Sequence, residues 1–167
     1  MRGFVKLILF FCSGVVMNFP VGTVVFKGSS PYKLEEIAAN AIGKKFNGYI
    51  IQSISAHFIE EGVLFFRDGE MVACVAECLA LSKSFKGKEA LDFFLNQTKG
   101  KGFFQVVDLS RSQVDLVTAF DEKLLLGEKL ALKDLPKLIP VTFSNRFEPS
   151  EKGSDLLETY GLSELKS

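Results

Sequence analysis

The pattern of apolar and polar residues is most informative between Glu61 and Cys78, where two short apolar runs flank Asp68-Gly69. This residue pair favours a two-residue type I′ turn, because both central positions of that turn need positive φ. Directly opposed residues share a sheet face, so both faces of the predicted hairpin are apolar and it should lie in the middle of a domain. The predicted register pairs Arg67 with Glu70, Phe66 with Met71, Phe65 with Val72, Leu64 with Ala73, and Val63 with Cys74.

The chain before the hairpin predicts a strand, a helix and a second strand. Residues 21–27 form an apolar run typical of a strand, and Ser30-Pro31 is typical of a helix start, with a hydroxyl N-cap followed by proline. Apolar residues then recur at helical spacing from Leu34 to Ile42. Residues 49–58 alternate, with Gln52 among the inward positions, which indicates a strand. With the hairpin, this strand predicts a three-stranded antiparallel meander over residues 49–76.

The chain after the hairpin predicts another helix and another strand. Residues 87–98 have helical spacing, and Gln97 is expected on the side facing water. Residues 103–108 read as a strand. The intervening run, residues 79–87, fits either a short helix or a loop.

A serine followed three residues later by glutamine predicts the start of a further helix. Ser110 and Gln113 match a capping box, in which each side chain bonds the backbone of the other residue. This helix is expected to reach about Lys123, with Val114, Val117 and Phe120 on its apolar face. Residues 124–138 predict one or two short helices.

These elements predict one α+β domain over residues 17–145, within a chain of 167 residues. We expect an antiparallel sheet of about five strands with a central Asp-Gly hairpin, covered by three or more helices. Residues 1–16 form a hydrophobic leader, and residues 146–167 a polar tail with a short amphipathic helix.

The leader has three interpretations. Arg2 and Lys6 precede the apolar run Leu7 to Phe11, as in a signal peptide, but the run is short and no A-x-A-like site follows. The apolar stretch also ends before it could span a membrane. We favour translation starting at Met17 and a cytoplasmic protein. An anchoring or uncleaved leader would make the protein membrane-associated or exported.

Composition narrows the function classes. Apolar residues make up 47% of the chain, with 17 Phe and no Trp, which is ample for a core. Lys plus Arg equals Asp plus Glu at 20 each, so we expect no nucleic-acid partner. Cys74, Cys78 and His57 are too few ligands for a closed zinc site, so the two cysteines should be buried free thiols. We expect no metal and no cofactor.

The order of four motifs carries a family resemblance. GYIIQSIS, EEGVLFFRDGEMVACVAE, GKEALDFFL and GKGFFQVVDLS follow one another along the chain. The series resembles an uncharacterised archaeal family of unknown function, and is more distantly similar to the PATAN domain of bacterial signalling proteins. The segments VGTVVFKGSSPYKLEE, SRSQVDLVTAF and DLLETYGL favour the archaeal family. The resemblance implies a non-enzymatic module that mediates protein contacts in a regulatory or scaffolding setting, without catalytic residues.

Three sets of residues are candidates for function. His57 shares a strand face with Ser55, but no third group orients it, so we expect a surface histidine and no catalysis. Gly28, Ser29 and Ser30 precede the predicted helix start, where free amides bind anions, although capping by Ser30 explains them more simply. In the tail, the docking candidates are Leu156, Leu157 and Tyr160, with packing on the domain as the alternative.

Two functions follow from these candidates. The first is a non-enzymatic protein-interaction module whose partner is another protein. The alternative is a small-ligand or anion sensor that uses the Lys27–Ser30 helix entrance.

Overall fold

The computed structural model describes residues 19–41, 45–130 and 134–146. The predicted leader and the tail candidates Leu156, Leu157 and Tyr160 lie outside these ranges. Within them, the strands are β1 Thr23–Ser30, β2 Gly48–Ser55, β3 Ile59–Arg67, β4 Glu70–Cys78, β5 Lys83–Lys86, β6 Gly102–Asp108 and β7 Leu125–Leu130. The helices are α1 Leu34–Ala41, α2 Gly87–Gln97, α3 Arg111–Phe120 and α4 Leu135–Leu138, with 3₁₀ turns at Leu79–Leu81 and Glu122–Leu124.

All of these strands belong to one antiparallel sheet. Its order is β1-β6-β2-β3-β4-β5, and β7 also pairs with β4. The α+β class and the β2–β3–β4 meander are therefore confirmed, with seven strands in the described sheet rather than about five. The prediction of one or two short helices over residues 124–138 is wrong for Leu125–Leu130, which form β7. There the free edge of β4 is shared, because β5 pairs with Val75 to Cys78 while β7 pairs near Met71 and Ala73.

The Asp68-Gly69 turn forms as predicted. Asp68 has φ of 52° and Gly69 has φ of 80°, the positive values that a type I′ turn needs. Arg67 pairs with Glu70 and Phe66 pairs with Met71, in the predicted register.

Beyond these two pairs the predicted register is wrong by one residue. Phe65 lies opposite Ala73, Leu64 opposite Cys74, and Val63 opposite Val75. Val72 is the extra residue of a β-bulge, which shifts the alternation of the strand by one. The shift allows Met71 and Cys74 to enter the same core cluster, whereas strict alternation would place them on opposite faces.

The sheet has a core on each face. On face A, buried residues of β2, β3 and β4, such as Leu64 and Cys74, pack with Leu34 of α1, Phe94 of α2 and Leu135 of α4. On face B, Phe65 and Val75 pack with Leu124, while Val114 of α3 packs with Val107. The central hairpin is thus buried on both faces, as its sequence predicts.

Three local predictions are wrong. Ser30 does not cap α1, because it pairs with Gly102 as the last residue of β1 and the helix begins at Leu34. Gln97 does not face water, because it is fully buried at the end of α2. Phe120 is 82% exposed, because α3 ends there and Asp121 starts the next 3₁₀ turn. The buried position of Val114 and the capping box of α3 are confirmed.

Candidate functional site

A cavity of about 630 Å³ lies between β1, the start of α1 and the turn that follows α2. Gly28 and Ser29 line it from β1, and Lys99 lines it from the turn. Cavities of a few hundred Å³ are the usual size of small-molecule sites. The cavity is therefore large enough for an organic ligand.

One wall of the cavity is aromatic. The ring of Phe104 lies 4.1 Å from that of Tyr32 and 5.9 Å from that of Phe26, centroid to centroid, with interplanar angles of 34° and 30°. A Cβ atom at Gly28 would lie 2.8 Å from the Phe104 ring, so glycine lets this ring lie against β1. The Phe104 ring itself is only 3% exposed, so the open part of this wall is the Phe26 ring, which is 44% exposed, together with the partly buried Tyr32 ring.

Hydrogen bonds fix the Tyr32 ring from behind. The Tyr32 hydroxyl donates to Gln52 Oε1 at 2.5 Å, and Gln52 Nε2 donates to the Phe94 carbonyl at 2.7 Å and to Gln97 Oε1 at 3.1 Å. Burial raises the pKa of Tyr32 well above its usual range. A phenol is protonated at neutral pH even without this shift, so the hydroxyl group acts as the donor. Tyr32 is thus held in one orientation.

The same network ends at a buried carboxyl group. Gln97 Nε2 donates to Glu60 Oε2 at 3.4 Å, and Glu60 is only 1% exposed. Burial raises the pKa of Glu60, while the hydrogen bond from Gln97 and the charge of Arg146 lower it less. Gly62 makes room for this arrangement, because a Cβ there would collide with Gln97 Oε1.

The sequence indicates only part of this network. Gln52 occupies an inward position in the alternation of β2, and that position is confirmed. Tyr32, Glu60 and Gln97 were missed as a group, because their contact joins residues that are far apart along the chain. The only local signal is a glycine, Gly62, directly opposite Gln52 in the sheet.

The charged side chains of the cavity leave an excess of positive charge. Lys33 pairs with Glu36 at 3.0 Å, and both side chains are largely exposed. The hydrogen bond and charge of Glu36 raise the pKa of Lys33. Lys99 is partly buried and makes no ion pair with any residue that the structure describes. Two lysines and one glutamate line the cavity, so one positive charge is unbalanced.

The predicted anion residues lie at this cavity, but in a different setting. Gly28 and Ser29 line it from a strand rather than from a helix start. The Ser30 hydroxyl is buried and has no hydrogen-bond partner among the described atoms. The three residues are thus neighbours of a cavity that the sequence did not predict.

Among the residues that the structure describes, face B of the sheet is covered only at the end near the Asp68-Gly69 turn. There Phe19 packs on Phe65, and α3 contributes Val114 and Val117. At the other end, cross-strand neighbours form a partly exposed patch, in which Phe103 is 54% exposed. We call this patch the open half-face; it consists of Ile51, Ser53, Glu61, Glu77 and Phe103.

Two carboxyl groups lie side by side in the open half-face. Glu61 and Glu77 are directly opposed on β3 and β4, and Ser53 Oγ donates to Glu61 Oε1 at 3.3 Å. Burial raises the pKa of both groups, and the charge of Glu61 raises the pKa of Glu77 further. No cation from the described part of the chain forms an ion pair with either group.

The remaining candidates are isolated. His57 is exposed in the bend after β2, and its ring contacts the ring of Phe58. Cys74 and Cys78 are buried free thiols, as predicted, and burial raises the pKa of both. Over the described residues, no three His, Cys, Asp or Glu side chains are grouped to hold a metal ion. None of the helices described there is long and apolar enough to cross a membrane.

These features define an α+β protein built on one antiparallel sheet, with a ligand-sized cavity at the β1 edge and a partly open face. A family model described as an uncharacterised protein conserved in archaea (DUF2226) matches residues 17–121, and the chain belongs to that family. The archaeal resemblance is thereby confirmed. No curated protein and no solved structure matches the chain.

Proposed function

We propose that this protein is a non-enzymatic protein-interaction module of the cytoplasm, with a regulatory or scaffolding role. The observation that carries the proposal is the open half-face, where exposed Phe103, Ser53 and the opposed pair Glu61 and Glu77 form one cross-strand row. Contiguous apolar patches with a polar rim are typical of contact surfaces, and Phe103 and Ile51 are the apolar members of this one. The signalling context is part of the proposal and rests only on the resemblance of the sequence motifs to the PATAN domain.

The charges of the open half-face favour a basic partner. Glu61 and Glu77 are partly desolvated and repel each other, so an arriving lysine or arginine would favour their ionised forms. An apolar side chain next to that cation would cover Phe103 and Ile51. We therefore expect the partner to present a basic residue beside an apolar one.

Affinity capture with matched variants tests this surface. Phe103→Ser and the double change Glu61→Gln/Glu77→Gln should each weaken binding of the captured protein by more than about 1 kcal/mol, as loss of an interface anchor does. Phe120→Ser is the control, because Phe120 is 82% exposed and lies on α3, outside the open half-face. Isothermal titration with the captured protein gives the affinities. Equal affinities for all four proteins would refute the proposal.

The tail is a second contact candidate for the same module. Leu156, Leu157 and Tyr160 would anchor a short docking helix. Deleting residues 150–167 should reduce recovery of the partner if the tail takes part. Unchanged recovery would remove the tail from the proposal and leave the open half-face unaffected.

The cavity favours a second function, a small-ligand or anion sensor. Its volume of about 630 Å³ and the position of Gly28 and Ser29 in its wall support this proposal. A thermal-shift screen with nucleotides and phosphates tests it, because a ligand present at about 100 times its Kd stabilises the folded state by about 2.7 kcal/mol. Phe26→Ala should reduce any shift, whereas Val25→Ala, next to it but outside the cavity wall, should not. A screen without any stabilising compound counts against the sensor.

A further inference from the structure

We infer that the cavity beside β1 takes a ligand that combines a planar apolar ring with a single anionic group. This inference rests on the proposed sensor function and narrows it to one chemical class. It follows from the aromatic wall, from the charges around it and from the rigidity of Tyr32.

The aromatic wall selects a planar ring. The Phe104 ring is tilted by 30° from that of Phe26 and by 34° from that of Tyr32, so Phe26 and Tyr32 extend the apolar wall on either side of it. Aromatic rings attract one another best in offset or tilted stacks, at centroid separations of about 4.5–7 Å. A flat ring can therefore cover this wall, whereas a small hydrated anion would leave it exposed to water.

The charges select a single negative group. Lys33 is neutralised in part by Glu36, at 3.0 Å, while partly buried Lys99 has no ion-pair partner among the described residues. Glu36 also lines the cavity and would repel a second negative charge. Glu35 and Glu36 in the first turn of α1 already complement its positive end. Lys99 is thus the counter-charge that remains for a ligand.

The hydrogen bonds behind the wall support binding without rearrangement. Tyr32 donates to Gln52, which is itself held by the Phe94 carbonyl and by Gln97. A ring already fixed in position loses little side-chain freedom when a ligand covers it. The wall is therefore prepared for a ligand before the ligand arrives.

Three probes separate the two parts of the inferred ligand. Indole-3-propionate carries a ring and a carboxylate, 3-methylindole carries the ring alone, and propionate carries the carboxylate alone. Isothermal titration of the full chain should detect indole-3-propionate and much weaker binding of the other two. Lys99→Gln should weaken indole-3-propionate by about tenfold, which is about 1.4 kcal/mol. Lys101→Gln is the matched control, because Lys101 lies two residues away and outside the cavity wall. Circular dichroism checks that both variants fold.

Each other outcome overturns a different part. If propionate and inorganic phosphate bind as well as indole-3-propionate, the site takes anions only and the ring requirement is wrong. If 3-methylindole binds equally well and Lys99→Gln changes nothing, the anion requirement is wrong. If the three probes fail while the thermal-shift screen finds a ligand without a planar ring, such as inorganic phosphate, the inferred class is wrong and the sensor function stands. If the probes and the screen both fail, the sensor function falls with the inference.

Discussion

Glu60 places a carboxyl group against the buried end of α2, where one oxygen accepts a hydrogen bond from Gln97 and the other has no partner among the described atoms. Desolvation of this group raises its pKa above the ordinary value near 4.5. The folded protein therefore keeps this proton to higher pH than the unfolded chain does. Stability contributed by the protonated group is complete below about pH 4.5 and is lost as the pH rises through the folded-state pKa.

We expect Glu60→Gln to remove this pH dependence. At neutral pH the variant should be more stable than the wild type by about 1 kcal/mol, because burying a neutral amide costs less free energy than burying a carboxylate. Near pH 4.5, where the wild-type group holds its proton, the two should be closer in stability. Urea unfolding at a series of pH values measures the difference. Glu122→Gln, a change at an exposed carboxyl group, is the control. A variant that is destabilised at all pH values would contradict this account.

Burial of single polar residues was only partly predictable. Gln52 follows the alternation of its strand, so its inward position could be read from neighbouring residues. The predicted water-facing position of Gln97 on α2 is wrong; the prediction followed from the usual exposure of glutamines on an amphipathic helix. Its burial depends on the space above Gly62, which belongs to another strand and is not visible in the helix sequence.

At the scale of elements, α3 begins with a complete capping box. Ser110 Oγ accepts from the Gln113 backbone N–H at 3.3 Å, and Gln113 Oε1 accepts from the Ser110 N–H at 2.9 Å. The motif depends on four consecutive residues, which is why the sequence predicted it. The end of α3 depends on the next turn, and that boundary was missed.

We expect Ser110→Ala to destabilise the protein by about 1 kcal/mol, the usual effect of losing an N-cap side chain. Gln113→Ala should have a smaller effect, and the double variant should lose less than the sum of the two, because both residues act in one motif. Urea unfolding gives the three values. Leu116→Ala, at an exposed position of the same helix, should change little. Additive effects of Ser110→Ala and Gln113→Ala would show that the two bonds act independently.

The β3–β4 hairpin also has one feature set by adjacent residues and one set by contacts with distant parts of the chain. Its turn follows from Asp68-Gly69 alone and was predicted. The bulge at Val72 was not predicted, because it depends on how β4 packs against two cores, one on each side of the sheet. The strand β7 was missed for a related reason, because it forms on an edge of β4 that β5 is too short to cover.

At the scale of the whole molecule, the strands differ in how firmly they are held. β2 lies between β6 and β3, and β3 lies between β2 and β4. Within the described sheet β1 pairs only with β6, and its residues from Thr23 to Lys27 are exposed. The sequence predicted most of these strands but not their order, because insertion of β6 between β1 and β2 depends on contacts far apart in the chain.

Hydrogen exchange should follow this arrangement. We expect the slowest amide exchange in β2 and β3, which are paired on both edges, and faster exchange in β1 and β5, since strands held on one side open locally at lower free energy. The expected difference is at least about tenfold in protection. Exchange measured by NMR residue by residue provides the comparison. Protection of β1 equal to that of β3 would contradict it.

The strand that ends the sheet also forms a wall of the cavity. Phe26, Gly28 and Ser29 contribute to that wall, and the hydrogen-bond ladder to β6 is the one pairing that β1 makes in the described sheet. A ligand bound in the cavity would therefore hold this edge strand against the rest of the domain and reduce its local unfolding. The local rigidity of β1 would then depend on whether the cavity is occupied.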